Sequence, residues 1–233
     1  MTFSPIFGRA FSPTFQPNSQ ETAAGGGWWD LDGAITSCIA AYQAIGVASD
    51  AASKINLANP GTYDAADGAA YPTWDASTGW TFNGTTQFIS TDIYPTENMT
   101  AIVRFANATG NGSSGYPALF GSSESNRNFY IHPRSIINRR YYLHGADGQG
   151  YVTGSLTSGV IALAKNTPYL NGSAETLTAG TIGGWVGTST VKMTIGKRSN
   201  GAFFAGDIIA IAFYSTEISG AQIALLTTAM NAL

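Results

Sequence analysis

The chain has 233 residues, of which 12% are aromatic and only 11% charged, with 28 glycines and a formal net charge of −3. That length suits one domain with a substantial core, and that charge excludes nucleic-acid binding as the main role, because neutralising phosphates requires a basic surface. A lone Cys38 excludes an internal disulfide, and no apolar run reaches the 18 residues that a membrane helix needs.

In chain order, the first segment is neither helix nor central strand. Phe3-Ser4-Pro5-Ile6-Phe7 recurs eight residues later as Phe11-Ser12-Pro13-Thr14-Phe15, and the segment closes on Gly25-Gly26-Gly27. Proline every few residues blocks helix and central strand, so residues 1–27 are expected to form an extended arm, with residues 28–233 as the folded domain. Phe3, Phe7, Phe11 and Phe15 are costly to leave in water, at about 25 cal/mol per Å² of apolar surface. The arm is expected to dock on its own domain over an edge strand, or to reach into a neighbouring subunit. Met1 is not followed by a basic stretch and an apolar core, so no secretory signal is expected.

Ser37 to Tyr42 reads as an opening strand in which Cys38 is a small buried thiol. Asp30-Leu31-Asp32-Gly33 has the oxygen ligands of a short Ca²⁺ turn, the one weak metal candidate in the chain; Asp30 and Asp32 serve equally as turn acceptors, as do Asp64 and Asp67. No other cofactor is expected. Trp80 to Phe82 and Phe88 to Ser90 flank Asn83-Gly84, the strongest short hairpin signal, and Met99 to Phe105 follows as an inward-facing strand. Tyr71, Trp74 and Trp185 sit beside turn residues, where aromatic rings can act as platforms for sugars, whereas Trp80 begins a strand and belongs to the core.

Residues 1–100 hold nine acidic and two basic side chains, and residues 101–233 five acidic and nine basic. The basic half concentrates in Arg127, His132, Arg134, Arg139, Arg140 and His144, interleaved with Phe129, Tyr130, Tyr141 and Tyr142. That stretch reads as a solvated hairpin, or as a surface for an anionic glycan, for sugar rings or for an acidic neighbour, with Arg139, Arg140 and Tyr141 its central ligand candidates. Tyr169 to Ser173 is a second Asn-Gly hairpin. Met193 to Tyr214 reads as strand, tight turn and long strand, the latter alternating Ile208, Ala210, Ala212 and Tyr214 against Ile209, Ile211 and Phe213, apolar on both faces. Ser219 then caps a short helix with Ile223, Leu226 and Met230 on one side.

The closing strands and helix, with Trp80 to Ser90, Met99 to Phe105 and Tyr169 to Ser173 in the same order, resemble laminin-G-like domains of the concanavalin A-like lectin/glucanase superfamily. The resemblance implies an all-β, concanavalin A-like jelly-roll β-sandwich with a short C-terminal helix. The Phe/Pro arm, Trp28-Trp29, the Cys38 strand and Leu57 to Tyr63 are similar to lectin-like proteins of tailed bacteriophages. That similarity implies a virion protein made in the host cytoplasm, a capsid decoration or tail-associated component that assembles as a homo-oligomer with other virion subunits. The alternative is a carbohydrate-binding module for a host-surface glycan.

Glycoside hydrolases of the superfamily carry Glu-x-Asp-x-x-Glu along one strand, which places three carboxylates on one face. The chain has no such motif, and Glu124, Asp147, Glu175 and Glu217 stand alone. A non-catalytic protein is expected, with neither nucleic acid nor membrane as partner.

Overall fold

The computed structural model describes residues 26–31, 33–110, 116–143, 149–180 and 184–233. The arm phenylalanines Phe3, Phe7, Phe11 and Phe15, together with Asp32 and His144, lie outside the described residues.

Strand β1 (Cys38–Gln43) is followed by a single helical turn, α1 (Asp50–Ser53), and by the short strands β2 (Ala66–Asp67), β3 (Thr73–Asp75), β4 (Gly79–Asn83) and β5 (Ile89–Ser90). The middle of the chain gives β6 (Thr100–Thr109), β7 (Phe120–Ser122), β8 (Phe129–Ser135), β9 (Asn138–Leu143) and β10 (Gln149–Thr153). Then come β11 (Gly159–Ala164), β12 (Thr167–Leu170), β13 (Ser173–Ala174), β14 (Ala179–Gly180), β15 (Thr194–Ile195), β16 (Ala205–Tyr214) and the helix α2 (Gly220–Asn231). Two antiparallel sheets result. One runs β13-β12-β11-β6-β16-β4-β3 with β1 also on β16, and the other runs β14-β10-β9-β8-β7-β15-β5-β2. This is an all-β jelly-roll sandwich.

Between the sheets lies the main core. Tyr42, Trp80, Val103, Phe105, Phe120, Phe129, Tyr141, Ile195, Phe204, Ile211 and Phe213 are all buried in it. A second core forms on the outer face of the first sheet, where α2 seats Ile223, Leu226 and Met230 against Ile102, Val160, Ala212 and Tyr214. Ser219 caps α2 as expected, in a full capping box with Gln222. At the other end Arg104 Nη1 donates to the Met230 carbonyl at 2.8 Å, serving one of the acceptors that a helix C-terminus leaves open.

The Asn171-Gly172 turn joins β12 and β13 as a hairpin, both residues at positive φ (48° and 83°), as a type I′ turn requires. Asn83-Gly84 behaves differently from expectation. β4 pairs with β3 and β16 in the first sheet, whereas β5 pairs with β2 and β15 in the second. The turn is therefore a corner between sheets: Asn83 Oδ1 accepts from the amides of Thr85, Thr86 and Gln87, which bends the chain away from its own strand. The expected alternation along β16 is likewise broken. A register shift between Ile208 and Ala210 brings Ile208 into the inter-sheet core with Ile211 and Phe213, while Ala210, Ala212 and Tyr214 face α2. β15 and β16 are in different sheets and do not form a hairpin.

Candidate functional site

Trp74 and Tyr71 come together where the β3–β4 hairpin meets the turn of α1. Cross-strand pairing sets Trp74 opposite Trp80. Trp80 is fully buried and donates its indole N–H to Ser53 Oγ at 2.8 Å, and Ser53 Oγ in turn donates to the Asp50 carbonyl at 2.6 Å. Trp74 donates to the Ala44 carbonyl at 2.7 Å, and its half-buried ring packs against the core. Its remaining surface lines an open groove of about 590 Å³ with Tyr71, Pro72, Thr73, Gln87 and Asp50. Tyr71 is 62% exposed, which leaves its ring face open at the groove.

The polar rim of the groove is organised rather than loose. Gln87 Oε1 accepts from the Asn83 amide at 2.8 Å, which orients the side-chain amide. Lys54 is held at 2.5 Å by Asp50 Oδ2 and at 2.6 Å by Asp67 Oδ1. Burial alone would lower the lysine pKa, but the two carboxylates outweigh it and hold the ammonium above its ordinary range. Asp50 Oδ1 is buried and has no hydrogen-bond partner among the described residues. A second cleft of about 360 Å³, lined by Asp50, Lys54, Ile55, Asp64 and Asp67, adjoins the first through Asp50. Asp64 is the local backbone acceptor that its setting suggests, taking the amides of Asn56 and Gly61 at 2.8 and 3.1 Å.

Trp185 lies in a different cleft, about 280 Å³, with Glu97, Asn98, Thr188 and Ser189. Its indole donates to the Gly187 carbonyl at 2.7 Å. Glu124 holds this region by accepting from the Thr190 amide and from the hydroxyls of Ser189 and Thr190.

The basic stretch divides by strand alternation. Tyr141 and Arg139 are buried, not surface ligand groups as expected: Arg139 Nε donates to Glu175 Oε2 at 2.8 Å, Nη2 completes a bidentate pair with Oε1, and the Tyr141 hydroxyl donates to the same carboxylate. Arg139 Nη1 also donates to the carbonyls of Thr153 and Gly154 at 3.0 and 2.8 Å. Glu175, isolated in the sequence, is the centre of this network, and only the fold brings it there. On the outer face of the second sheet, Tyr130 stacks on Tyr142 with centroids 4.2 Å apart, and Arg140 lies 4.3 Å over the Tyr116 ring.

His132 sits under that outer layer, wholly buried, edge-on to Tyr116, Tyr130 and Tyr142. The Pro117 carbonyl faces it, but neither ring nitrogen has a partner in normal hydrogen-bond geometry among the described residues. Burial pushes its pKa down to about 3; the Pro117 carbonyl pulls the other way, and the positive charges of Arg198 and Arg140 add smaller downward pushes. The unfolded chain therefore takes up this proton more readily than the folded one. Stability is expected to be full above about pH 6.5 and to fall as the pH drops toward 3, by up to about 1.4 kcal/mol per pH unit. Denaturant titrations across that range, on the wild type and on His132→Gln, isolate this contribution: the variant should lose the part of the slope lying between pH 6.5 and 5, above the range of the carboxylates.

Asp30 is described but Asp32 is not, and no group of three or more His, Cys, Asp or Glu side chains placed to hold a metal occurs among the described residues. No described helix is long and apolar enough to cross a membrane.

No family model matches the sequence, and no curated protein matches it. Solved structures do. Trypanosoma rangeli sialidase bound to a difluorinated KDN compound is 14% identical, with a TM-score of 0.58 over 84% of this chain and 33% of that one. The receptor binding domain of botulinum neurotoxin D is 11% identical, with a TM-score of 0.52 over 83% of this chain and 52% of that one. The binding domain of botulinum neurotoxin DC, solved in complex with rat synaptotagmin II, is 9% identical, with a TM-score of 0.55 over 83% and 52%. The chain thus spans about half or a third of the length of these proteins. At such identities the likeness is one of architecture, and it defines the class: a two-sheet, all-β sandwich.

Proposed function

We propose that the sandwich is a non-catalytic glycan-recognition module whose binding groove is lined by Tyr71 and Trp74. The observation that carries this reading is the groove itself: an exposed tyrosine and an anchored tryptophan share a concave surface with Asp50, Thr73 and Gln87. Sugars present flat C–H faces and a rim of hydroxyls, which aromatic rings and fixed amide or carboxylate groups complement. The Asp50 carboxylate, fixed by its pair with Lys54, borders the groove as a polar group of set orientation. With Asp64 and Asp67 nearby and Lys54 already engaged, the groove favours neutral sugars. That receptor-binding domains share the architecture fits this reading. The non-catalytic part of it is supported by three carboxylates away from the groove, Glu124, Glu175 and Asp207, each held by donors from the protein itself, and by Asp50 and Asp67, which are both paired with Lys54. Glycan binding by the wild type, lost in Tyr71→Ala, is the test.

The second part of the reading concerns setting. The duplicated Phe-Ser-Pro-x-Phe motif supports an arm that anchors the module to other subunits of a phage virion. Deleting residues 1–24 leaves Trp28 and Trp29, which pack on the outer core, in place. The truncated protein should keep its thermal midpoint but lose self-association or particle binding in sedimentation; unchanged assembly would contradict an anchoring arm.

A further inference from the structure

We infer that the exposed side of α2 is the docking surface for the N-terminal arm of a second copy of this chain. The inference rests on the reading of residues 1–27 as an anchoring arm, and it names the surface which that arm meets. α2 carries no charged side chain along its twelve residues. A helix that is apolar around its whole circumference belongs in an interior or an interface. Yet α2 buries only Ile223, Leu226, Thr227 and Met230. Ala221, Ala224, Leu225 and Thr228 face outward, and Leu225 is 58% exposed. The polar side chains here are turned back onto the helix: Thr228 Oγ1 donates to the Ala224 carbonyl at 3.1 Å, and Gln222 is held in the capping box of Ser219.

The arm fits this surface by where it starts and by what it is made of. Trp28 and Trp29, just after its end, pack on the same outer core that α2 covers, and the Trp29 carbonyl accepts from the Tyr214 hydroxyl at 2.8 Å. The arm is therefore rooted on the face of the sandwich that bears α2. Residues 1–24 hold four phenylalanines and only two charged side chains, Arg9 and Glu21, so an uncharged segment meets an uncharged helix face. Length selects the copy. The twelve residues of α2 make a helix about 18 Å long. Extended as its prolines require, at about 3.1 Å per residue, one Phe-Ser-Pro-x-Phe motif spans about 12 Å and fits along α2, whereas Phe3 to Phe15 spans about 37 Å and does not. A copy's own α2 can seat one motif at most, which leaves the other for a neighbour. Phe7 stands 19 positions before Gly26, a reach of about 59 Å, more than the diameter of about 45 Å expected for a domain of this size. Exchange of arms between two copies covers both helix faces and both sets of phenylalanines.

The test is sedimentation of the full chain and its variants, with thermal midpoints recorded alongside. Wild type should self-associate. Leu225→Glu, which sets a carboxylate on the exposed side of α2, should weaken the association by about tenfold or more, and so should the double variant Phe3→Ser/Phe7→Ser. Ile137→Glu, at a position 65% exposed on the β8–β9 turn, should leave it unchanged. An equimolar mixture of Leu225→Glu, which keeps the arm, and Phe3→Ser/Phe7→Ser, which keeps the helix face, should regain association between the two variants. Docking of each arm on its own α2 cannot produce that recovery. Ala221→Lys, one turn earlier on the same face, serves if Leu225→Glu fails to fold. A monomeric wild type, association of Leu225→Glu equal to wild type, an equal loss in Ile137→Glu, or no recovery in the mixture would each overturn the inference. Loss of association on deleting residues 1–24 with none in Leu225→Glu would overturn this docking surface while leaving the anchoring arm in place.

Discussion

Glu175→Ala should cost about 3–5 kcal/mol of folding stability, the usual consequence of leaving one member of a buried ion pair without its partner. Arg139 and Glu175 expose only 9% and 11% of their side chains, so neither can turn to water for compensation. The substitution also removes the acceptor of the Tyr141 hydroxyl, which is buried in the inter-sheet core. Against a typical total of about 5–15 kcal/mol, a loss of this size takes a large share of what holds the domain folded. Urea denaturation followed by tryptophan fluorescence reads it directly. Glu175→Gln distinguishes the causes: it keeps shape and one acceptor but removes the charge, so it should fall between wild type and alanine. A cost below about 1 kcal/mol for Glu175→Ala would mean that the network is exposed to solvent and of little consequence.

Asn56→Ala is expected to be as damaging, about 3–5 kcal/mol, for a different reason. Asn56 is fully buried, and its side chain makes four hydrogen bonds to the main chain. Oδ1 accepts from the amides of Ala41 and Ala58 at 3.0 Å each, and Nδ2 donates to the carbonyls of Ile39 and Thr62 at 2.9 and 2.7 Å. It thereby ties the segment that follows α1 to the edge of β1 on which no described strand pairs. Alanine would strand several buried backbone groups at once, each at about 1–3 kcal/mol before relaxation. Asn56→Asp is the sharper probe, because it keeps the acceptor but points a second carboxylate oxygen at two carbonyls. Both variants should destabilise strongly in the same urea assay, and both should weaken the Asp50 to Asp67 side of the groove, since Asp64 and Lys54 lie on the segment that Asn56 holds.

These two residues mark the boundary of what sequence reasoning could reach. Features specified by neighbours along the chain were readable: the Asn171-Gly172 hairpin, the Ser219 cap with Gln222, the apolar face of α2 and the buried positions of β6. Each depends on local φ, a short hydrogen bond or a simple periodicity. Features that depend on distant partners were not. Asn83-Gly84 has the composition of a hairpin, but what β5 pairs with is decided by β2 and β15 across the sandwich. The bulge in β16 follows from its need to match β6 and β4 together, and it reverses the side assigned to Ile208. Glu175 stands 34 and 36 positions from the two side chains it organises, with no motif to announce it.

The site was legible in the same proportion. Tyr71 and Trp74, three residues apart, were identifiable as aromatic residues in a turn-rich segment, and the structure joins them in one groove. Trp185, chosen on the same grounds, belongs to another cleft. Arg139 and Tyr141 alternate onto the inner side of β9, while Arg140 alternates onto the outer side, so one basic stretch divides between a structural network and a surface layer. Asp50 and Gln87 gave no signal of their own; they reach the groove because Trp80 binds the turn of α1 through Ser53 and because the Asn83 corner folds Gln87 back.

The central claim is that the Tyr71–Trp74 groove binds a neutral glycan. Trp74→Ala is a poor test, since that ring packs on the core and bonds to Ala44, so its loss would mix binding with stability. Tyr71 is exposed and makes no structural contact of that kind, which makes Tyr71→Ala the cleaner variant. The decisive measurement is a glycan array probed with wild type, Tyr71→Ala and Trp185→Ala, with thermal midpoints recorded alongside. The account predicts that wild type retains a set of neutral glycans, that Tyr71→Ala loses them by about tenfold or more at an unchanged midpoint, and that Trp185→Ala retains them. Wild type binding no neutral glycan, or the same glycans bound equally by Tyr71→Ala, would contradict it.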